Sequence, residues 1–328
     1  MKYKKLGVSG LYVSELVLGT MTFGDGTDEQ ESGEIFHRAI EAGVNLIDTA
    51  DLYAGGHTEE ILRPLIAPIR HDILVATKGY FPIDDNPNHR GSSRLHLTQA
   101  IEDSLRRMGT DYIDIYYLHR FDENVPLEES LHTMDDAIRA GKVRYLGFSN
   151  YAAWQIEKAL GVQERLHLNR AIVLQPQYNL IKRQAESEIF PCAKAEGLGV
   201  MTYSPLAAGL LTGKYLNSSE GRLATNYKYQ MRFSEREIPR YVEDFVGIAK
   251  DMVINPAALA IAWVMANPTV TAPIIGARKL SHWEAALEAT EVKMTPELYT
   301  RIARCTPEPP NATDRLEEKS GDAFSFVR

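Results

Sequence analysis

The chain has 328 residues, of which 44% are hydrophobic and 24% are charged, and its net charge is -8. This length allows one large domain or two ordinary ones, and the apolar fraction is sufficient for a buried core. The acidic balance argues against nucleic acid as a partner, because binding a phosphate backbone requires a basic face. No run of 18 apolar residues occurs and the N-terminus lacks a signal-peptide core, so we expect no membrane partner and a cytoplasmic location.

The chain contains two cysteines, Cys192 and Cys305, far apart in the sequence. Two widely separated cysteines are too few for a disulfide framework, so we predict free thiols. No cluster of cysteine and histidine indicates a metal, and no metal site is predicted. Nothing in the sequence indicates an oligomer.

Short apolar runs alternate with longer amphipathic segments along most of the chain. The runs are rich in Val, Ile, Leu and Tyr and show little polar alternation, which is typical of parallel strands buried on both faces. Eight strands are predicted: Leu16–Leu18, Leu46–Ile47, Ile73–Ala76, Ile113–Leu118, Val143–Phe148, Ala171–Leu174, Leu198–Tyr203 and Thr271–Ile275.

Helices are predicted between these runs, the clearest being Glu29–Glu41, Leu95–Met108 and Leu127–Ala140. Each is followed by a glycine, the usual signal for a helix C-terminus. Eight such alternations favour an α/β fold of the closed (β/α)8 TIM barrel type, with a doubly wound open sheet as the rival.

Three segments do not follow this alternation of strands and helices. The N-terminal run reads as a small β-hairpin that could close the bottom of the barrel. Residues 207–240 are long, polar and aromatic, as expected of a functional lid or a disordered loop. The tail, residues 306–328, is rich in Pro, Glu and Asp. We therefore predict one domain over residues 1–328, with the barrel at about 14–290 and extended loops at its C-terminal face.

Four polar residues follow three consecutive predicted strands: Asp48 and Tyr53 after the second, Lys78 after the third and His119 after the fourth. Singly, each has an ordinary structural explanation, such as a helix cap for the aspartate or packing for the tyrosine. In a (β/α)8 barrel, however, active sites lie at the C-terminal ends of the strands. The sequence therefore predicts that these four side chains converge.

This combination suits the reduction of a carbonyl group, which requires a proton for the developing alkoxide. A phenol titrates near 10, and a neighbouring ammonium group lowers its pKa. A buried lysine needs a carboxylate partner, which Asp48 can supply for Lys78. His119 can polarise the carbonyl oxygen or help to relay the proton.

The chain resembles the aldo-keto reductase superfamily over about Lys5 to Ala289. The motifs that carry the resemblance are NLIDTADLYAGGHTEEIL, ATKG, DSLRRMGTDYIDIYYLHR, GKVRYLGFSN, QPQYNLI, YSPLAAGLLTGKY and PIIGAR. The resemblance implies a (β/α)8 barrel with Asp48, Tyr53, Lys78 and His119 as a catalytic tetrad. Tyr53 would act as general acid in reduction and as base in oxidation.

The resemblance also implies a site for NADP(H). Asn150 and Gln175 would bond the carboxamide, and Tyr203 would stack on the nicotinamide ring. The full set of implied cofactor-binding residues is Gly19, Thr20, Met21, Asp48, Ser149, Asn150, Gln175, Tyr203, Ser204, Pro205, Leu206, Gly209, Leu211, Lys214, Gly276, Arg278 and His282.

The outer part of this site departs from the family pattern. Many relatives carry Gln at the position of His282 and a Glu-Asn pair at Ala285-Ala286. Arg278 is retained, and its planar fork suits a 2′-phosphate, which favours NADP over NAD. The alternative is that Arg278 is an ordinary surface residue at the start of a helix.

Residues flanking the tetrad are expected to form the substrate pocket, namely Phe23, Leu52, Tyr80, Phe81, Arg120 and Phe121. Its aromatic walls would suit an apolar or sugar-like aldehyde or ketone. Arg120 could bind a carboxylate or phosphate, or it could pair with Asp122.

The predicted function is therefore NADPH-dependent reduction of aldehydes or ketones to alcohols. Two alternatives stay open on the same barrel. One is a regulatory protein, because the potassium-channel β subunits also resemble this chain. The other is a Schiff-base aldolase with Lys78 as nucleophile, which does not account for Tyr53, Asn150 and Gln175 together. A Rossmann dehydrogenase is disfavoured, since no G-x-G-x-x-G follows the first strand.

Overall fold

The structure is a computed structural model that describes residues 1–218 and 221–313. Most of the predicted tail, residues 314–328, lies outside the described residues. Eight parallel strands close into a barrel in the order β10-β3-β4-β5-β6-β7-β8-β9. These strands are β3 (Val17–Gly19), β4 (Leu46–Asp48), β5 (Leu74–Gly79), β6 (Ile113–Leu118), β7 (Val143–Ser149), β8 (Val173–Gln175), β9 (Gly199–Thr202) and β10 (Ala272–Gly276).

The predicted (β/α)8 barrel is confirmed, and the open-sheet rival is excluded by the pairing of β10 with both β3 and β9. Each predicted strand overlaps an observed one, with ends that differ by at most two residues except at β5, which ends at Gly79 rather than at Ala76. The strand ends are in register, since Gly19 pairs with Asp48 and Ser149 pairs with Gln175. The register places the polar residues that end these strands in one layer of the barrel.

Helices surround the barrel, and the three predicted from the sequence are confirmed to within one residue. Side chains of Asp28 and Ser93 cap two of them by accepting hydrogen bonds from backbone N–H groups of the first turn. The helices are α1 (Glu29–Glu41), α2 (His57–Ile66), α3 (Arg94–Met108), α4 (Leu127–Arg139), α5 (Ala153–Arg165), α6 (Ile189–Ala195), α7 (Arg222–Thr225), α8 (Tyr227–Arg232), α9 (Ile238–Asp251), α10 (Pro256–Met265), α11 (Leu280–Leu287) and α12 (Pro296–Ala303).

The hydrophobic core has two parts. A large outer part lies between the strands and the helices, and a smaller one fills the inside of the barrel with residues such as Leu46, Ile115 and Met201. Helix α10 is apolar on nearly all sides because it is buried. Among the described residues, no single helix has the length and apolarity to cross a membrane; α9 and α10 pass that test only as a pair bent by 100°.

The predicted N-terminal hairpin is confirmed as β1 (Tyr3–Lys5) paired antiparallel with β2 (Tyr12–Ser14). It lies across the N-terminal ends of the barrel strands, where Leu6 is fully buried with the inner core. Gly7, at its turn, has a φ of +58°, and a Cβ there would stand 2.4 Å from the carbonyl oxygen of Gly197. Only glycine permits this close approach, which closes the bottom of the barrel.

The long segment after β9 is not a structureless loop where the structure describes it. It forms 3-10 helices at Ala207–Thr212 and Lys214–Leu216 and then the short helices α7 and α8. Phe233, directly after α8, is buried, and Lys182 lies over its ring. These contacts anchor the segment on the loop that follows β8, at the C-terminal face.

Two remaining sequence predictions concern sulfur and metals. Cys192 and Cys305 are both free, the first half-buried and the second buried. Within the residues that the structure describes, we find no group of three or more His, Cys, Asp or Glu side chains arranged to hold a metal ion.

Candidate active site

A fully buried ammonium group lies at the centre of the C-terminal face. Lys78, near the end of β5, has no exposed surface, and its Nζ donates to Oδ1 of Asp48 at 2.6 Å and to the carbonyl oxygen of Thr49 at 2.6 Å. The other Asp48 oxygen, Oδ2, accepts from the side-chain amide of Gln175 at 2.7 Å. Both charges are therefore compensated by direct partners, as buried charges require.

Burial and the direct contact act in opposite directions on the charges of this pair. Burial favours the neutral form of Lys78, but Asp48 and Tyr53 outweigh burial and raise the pKa of the lysine. Burial raises the pKa of the Asp48 carboxyl, and Lys78 with Gln175 opposes that effect. The 2.6 Å contact places the Lys78 ammonium group directly against the Asp48 carboxyl group.

Tyr53 begins a short 3-10 helix, Tyr53–Gly56, directly after the loop from β4. Lys78 Nζ lies 5.3 Å from the centroid of the tyrosine ring, close enough for its charge to act on the Tyr53 hydroxyl. Burial raises the pKa of Tyr53 above its ordinary value, whereas Lys78 lowers it. Lys78 lowers the pKa of Tyr53, as the sequence predicts, but the effect of burial on this pKa is larger. The phenol therefore stays protonated at neutral pH.

His119 follows β6 and lies edge-to-face with Phe81, with ring centroids 5.0 Å apart. Its Nδ1 is buried and has no hydrogen-bond partner among the described residues. Burial, and secondarily the nearby Lys78 ammonium, lower the pKa of His119 to about 3. The imidazole is therefore neutral at physiological pH, and it can donate an N–H hydrogen bond without carrying a positive charge.

The structure thus brings the four predicted tetrad residues to one end of the barrel. Beside them, a hydrogen-bonded group joins the ends of β7, β8 and β9. The Asn150 side-chain amide donates to the His119 carbonyl at 3.0 Å, and the Tyr203 hydroxyl donates to Oδ1 of Asn150 at 2.7 Å. Ser149 Oγ donates to the backbone carbonyl of Gln175 at 3.0 Å. These contacts fix the strand-end side chains relative to one another.

Backbone strain is concentrated in the same region. Among the described residues, seven non-glycine residues have positive φ, a conformation that costs energy for residues with a Cβ. Five of them lie in loops that follow β4, β7 and β9 at the C-terminal face: Ala54, Asn150, Ser204, Ala207 and Ala208. The surrounding contacts hold these loops in shapes that the chain would not adopt alone.

A group of positive charges lies farther out, near the N-terminus of α11. Lys214, Lys279 and Arg278 all lie close enough to lower the pKa of His282, although burial is the larger cause. Glu31 stands among them and accepts a hydrogen bond from the backbone N–H of Leu280 at 2.7 Å. A helix N-terminus with several cations is suited to an anionic group.

The other predicted cofactor residues lie along the rim between these two regions. Thr20 is buried, and both its N–H and its hydroxyl donate to the Asp48 carbonyl. The Lys214 side chain lies close to Gly209, because a Cβ atom added at Gly209 would be 3.3 Å from Lys214 Nζ. Gly19 and Gly276 end two adjacent strands, and the run after β9 supplies Ser204, Pro205, Leu206 and Leu211; Met21 is half-buried.

The predicted pocket residues do not all reach its surface. Tyr80 and Phe81 form an edge-to-face pair next to His119, and Leu52 is half-buried beside Tyr53. Phe23, in contrast, is fully buried in the outer core, so it lies behind the pocket rather than at its surface. Arg120 is exposed and is not paired with Asp122, whose carboxylate instead accepts from the backbone N–H groups of Ser92 and Asn124.

Sequence reasoning missed three further residues at this face. Trp154, on α5, is 60% exposed and packs against Phe121 at 5.6 Å between centroids. Tyr229 and Arg232, on α8, interact electrostatically with Tyr53 and Tyr203 respectively. The long aromatic and polar segment after β9 was a signal for such residues, but only the fold shows which of them turn toward the site.

The fold and the site define the chain as a (β/α)8 barrel with a buried lysine-aspartate pair, a tyrosine and a histidine at its C-terminal face. A model of the Aldo/keto reductase family matches residues 15–307. The chain therefore belongs to the aldo/keto reductase family and is an oxidoreductase of that family.

Individual relatives match nearly the whole chain. The chain is 36% identical to "Uncharacterized oxidoreductase YrpG" of Bacillus subtilis (strain 168), over 95% of this chain and 98% of the relative. It is 38% identical to "Probable voltage-gated potassium channel subunit beta" of Oryza sativa subsp. japonica, over 96% and 99%. It is 32% identical to "Versiconal hemiacetal acetate reductase" of Aspergillus parasiticus, over 90% and 94%.

Proposed function

We propose that this protein reduces aldehydes or ketones to alcohols with NADPH and that Tyr53 supplies the proton. The observation that carries the proposal is the Lys78 ammonium, which is held by Asp48 at 2.6 Å and lies 5.3 Å from the centroid of the Tyr53 ring. A phenol that must release a proton requires a fixed positive charge beside it. The protein supplies this charge before any substrate binds, which is the preorganisation that electrostatic catalysis requires.

The residues at the face fit the proposed cofactor. NADPH, when bound, supplies the hydride. Asn150 and Gln175 offer amide groups for a carboxamide, and Tyr203 offers a ring held by its bond to Asn150. Arg278 and Lys214, in the outer group of positive charges around His282, suit phosphate groups and support NADPH over NADH.

Proton transfer follows from the state of Tyr53. Burial keeps its phenol protonated, so the O–H is available to the oxygen of the carbonyl as that oxygen gains charge. The phenolate that remains is stabilised by Lys78, and Asp48 keeps the lysine charged. In the oxidation of an alcohol, the same phenolate would accept the proton.

His119 has a separate role in this proposal. Because its pKa is lowered to about 3, it is neutral and cannot act as an imidazolium acid. Its N–H can donate a hydrogen bond to the substrate carbonyl and so fix the position of the oxygen against Tyr53. Polarisation is therefore the role that the electrostatics support, and relay of the proton through an imidazolium is disfavoured.

The pocket favours a substrate with an aromatic or other flat apolar part. Tyr80, Phe81, Phe121 and Trp154 line one side of the mouth next to His119. Flat rings bind well between aromatic side chains because edge-to-face and offset contacts are both available. The proposed partner is thus a small carbonyl compound.

A second candidate function is regulation of a membrane channel, which is favoured by the 38% identity to two plant proteins named as probable channel β subunits. The two candidates differ in turnover. An enzyme would consume NADPH steadily with an aldehyde, whereas a regulatory subunit would bind the cofactor with negligible turnover.

The deciding experiment is to follow NADPH absorbance with 4-nitrobenzaldehyde, with NADH in parallel. We expect steady turnover that is faster with NADPH. Equal rates with NADPH and NADH would support the proposed reduction but would contradict the proposal that Arg278 recognises the 2′-phosphate. Tight binding of NADPH without turnover, across several aldehydes, would favour the regulatory function.

A further inference from the structure

A second acidic side chain is buried directly behind the proposed catalytic residues. Asp51 lies two positions before Tyr53 and has no exposed surface. Neither of its carboxyl oxygens has a hydrogen-bond partner of normal geometry among the described residues, although the N–H of Leu52 lies nearby. An ionised carboxylate in such a place would lose its hydration without compensation.

The neighbours of Asp51 add to this cost. Glu59, on α2, is also fully buried, and it is held by Thr77 Oγ1 at 2.7 Å and by Arg107 Nε at 2.7 Å. The single guanidinium of Arg107 is thus used by Glu59. Tyr116, on β6, faces the same space with a buried hydroxyl that lacks a partner, and Lys78 is committed to Asp48. Among the described residues, Glu59 therefore has a direct cation and Asp51 has none.

Asp51 is connected to the catalytic residues through the backbone. Its N–H donates to the carbonyl of Lys78 at 3.1 Å, and the Thr49 carbonyl accepts from the Lys78 ammonium. At the other end of the segment, Gly56 closes the helix that Tyr53 begins, with a φ of +97°. A Cβ at Gly56 would lie 3.0 Å from Arg107 Cδ, so the helix packs on the arginine that holds Glu59.

We propose that Asp51 is a positioning residue: its neutral carboxyl group allows residues 49–56 to pack against β5 and Arg107, and loss of its proton displaces this segment and Tyr53 with it. The inference rests on the proposed function for its kinetic consequence. Burial and Glu59 raise the pKa of Asp51 to about 8, which places the transition within an accessible range. Tyr53 itself titrates above its ordinary value, so the two ionisations are separable.

The test compares the wild type with Asp51→Asn, which retains the shape and cannot ionise. For the wild type we expect kcat to be about tenfold lower at pH 9 than at pH 7, as one ionisation near pH 8 dictates. Asp51→Asn should lose this alkaline limb and retain kcat at pH 7 within about threefold. Asp111→Asn, at an exposed aspartate, is the matched control and should titrate like the wild type.

Glu59→Gln provides a second variant if Asp51→Asn fails to fold. Removing the neighbouring charge should move the alkaline limb to lower pH, because Glu59 raises the pKa of Asp51. A merely structural role would lower kcat equally at every pH and leave the limb in place. Unchanged alkaline limbs in both variants would overturn the proposal.

Hydrogen exchange gives a readout that does not depend on turnover. After correction for the chemical effect of pH, peptides covering residues 49–56 should lose protection above pH 8 in the wild type and keep it in Asp51→Asn. Protection that is the same in both proteins at pH 9 would contradict the proposal. If the wild type turns over no carbonyl compound, the proposed function fails, and the exchange result still decides the role of Asp51.

Discussion

Lys78 and Asp48 form an ion pair of 2.6 Å in which the lysine side chain has no exposed surface and the aspartate side chain is 4% exposed. Asp48 ends β4 and Lys78 lies near the end of the adjacent strand β5, so the barrel register sets their distance. Such a pair stabilises the protein only while both members are present, since a single buried charge lacks compensation.

We predict that Lys78→Met and Asp48→Asn each lower the free energy of unfolding by about 3–5 kcal/mol. The double variant should lose less than the sum of the single losses, because no charge remains unpaired. Urea denaturation of the four proteins measures the cycle. The exposed pair Arg94–Asp136 is the control, and its removal should cost about 1 kcal/mol or less. Strict additivity at Lys78 and Asp48 would contradict this account.

Tyr53→Phe should leave NADPH binding nearly intact and lower kcat by about 10²–10⁴-fold, the usual contribution of a general acid. The ring still packs beside Lys78, and only the hydroxyl is lost. Quenching of protein fluorescence measures NADPH binding, and absorbance measures turnover. Reduction of aldehydes at the wild-type rate by this variant would show that another group supplies the proton.

The barrel could be predicted from the sequence because its strands are short apolar runs separated by helices, several of which end at glycine. The convergence of Asp48, Lys78 and His119 followed from strand ends alone, since parallel strands in a barrel present their ends at one face. The ring order and register then confirmed it. The position of Phe23 was less accessible, because a residue after a strand can turn into the outer core as readily as into the pocket.

The electrostatic balance at Tyr53 also required the structure. Sequence indicates which charges are close, but the loss of hydration depends on how many atoms surround the group. Burial therefore outweighs Lys78 at Tyr53, and it renders His119 neutral. The contributions of α8 were hidden for a related reason, since no strand end fixes Tyr229 or Arg232.

The pH dependence of stability offers a test of the buried Asp51. Its pKa is about 8 in the folded protein against 3.8 as the ordinary value, so the folded state binds the proton more tightly between these values. The contribution of Asp51 to the free energy of unfolding should therefore fall as pH rises from about 4 to 8, by up to about 1.4 kcal/mol per pH unit. The advantage of Asp51→Asn over the wild type in urea denaturation should grow across this range and become constant above it. A constant difference from pH 5 to 8 would show that Asp51 is ionised throughout.

Arg278→Gln should weaken NADPH binding and leave NADH binding almost unchanged, because a single planar cation for the 2′-phosphate is lost. We expect a rise in Kd for NADPH of about tenfold, in keeping with a charge-assisted hydrogen bond. Arg236→Gln, at an exposed residue before α9, is the matched control. Equal weakening of both cofactors would show that Arg278 holds a part that the two share.

From the position of Arg232 we predict a preference for substrates that carry a carboxylate. It is half-buried on α8, lies 5.3 Å from the centroid of Tyr229 and lowers the pKa of Tyr203, which burial otherwise raises. Arg232→Gln should raise KM for 4-carboxybenzaldehyde and leave KM for its methyl ester almost unchanged. Arg240, which lies 5.4 Å over Tyr241 on α9, is a matched control with the same kind of contact. A loss of NADPH affinity in Arg232→Gln, with equal effects on acid and ester, would instead assign the guanidinium to the cofactor.

The hairpin formed by β1 and β2 affects the route by which reactants reach the candidate active site. Because Leu6 is buried in the inner core at the N-terminal end of the barrel, we expect reactants to reach Tyr53 from the C-terminal face. The cofactor and the carbonyl compound of the proposed reaction would then enter and leave on the same side of the barrel.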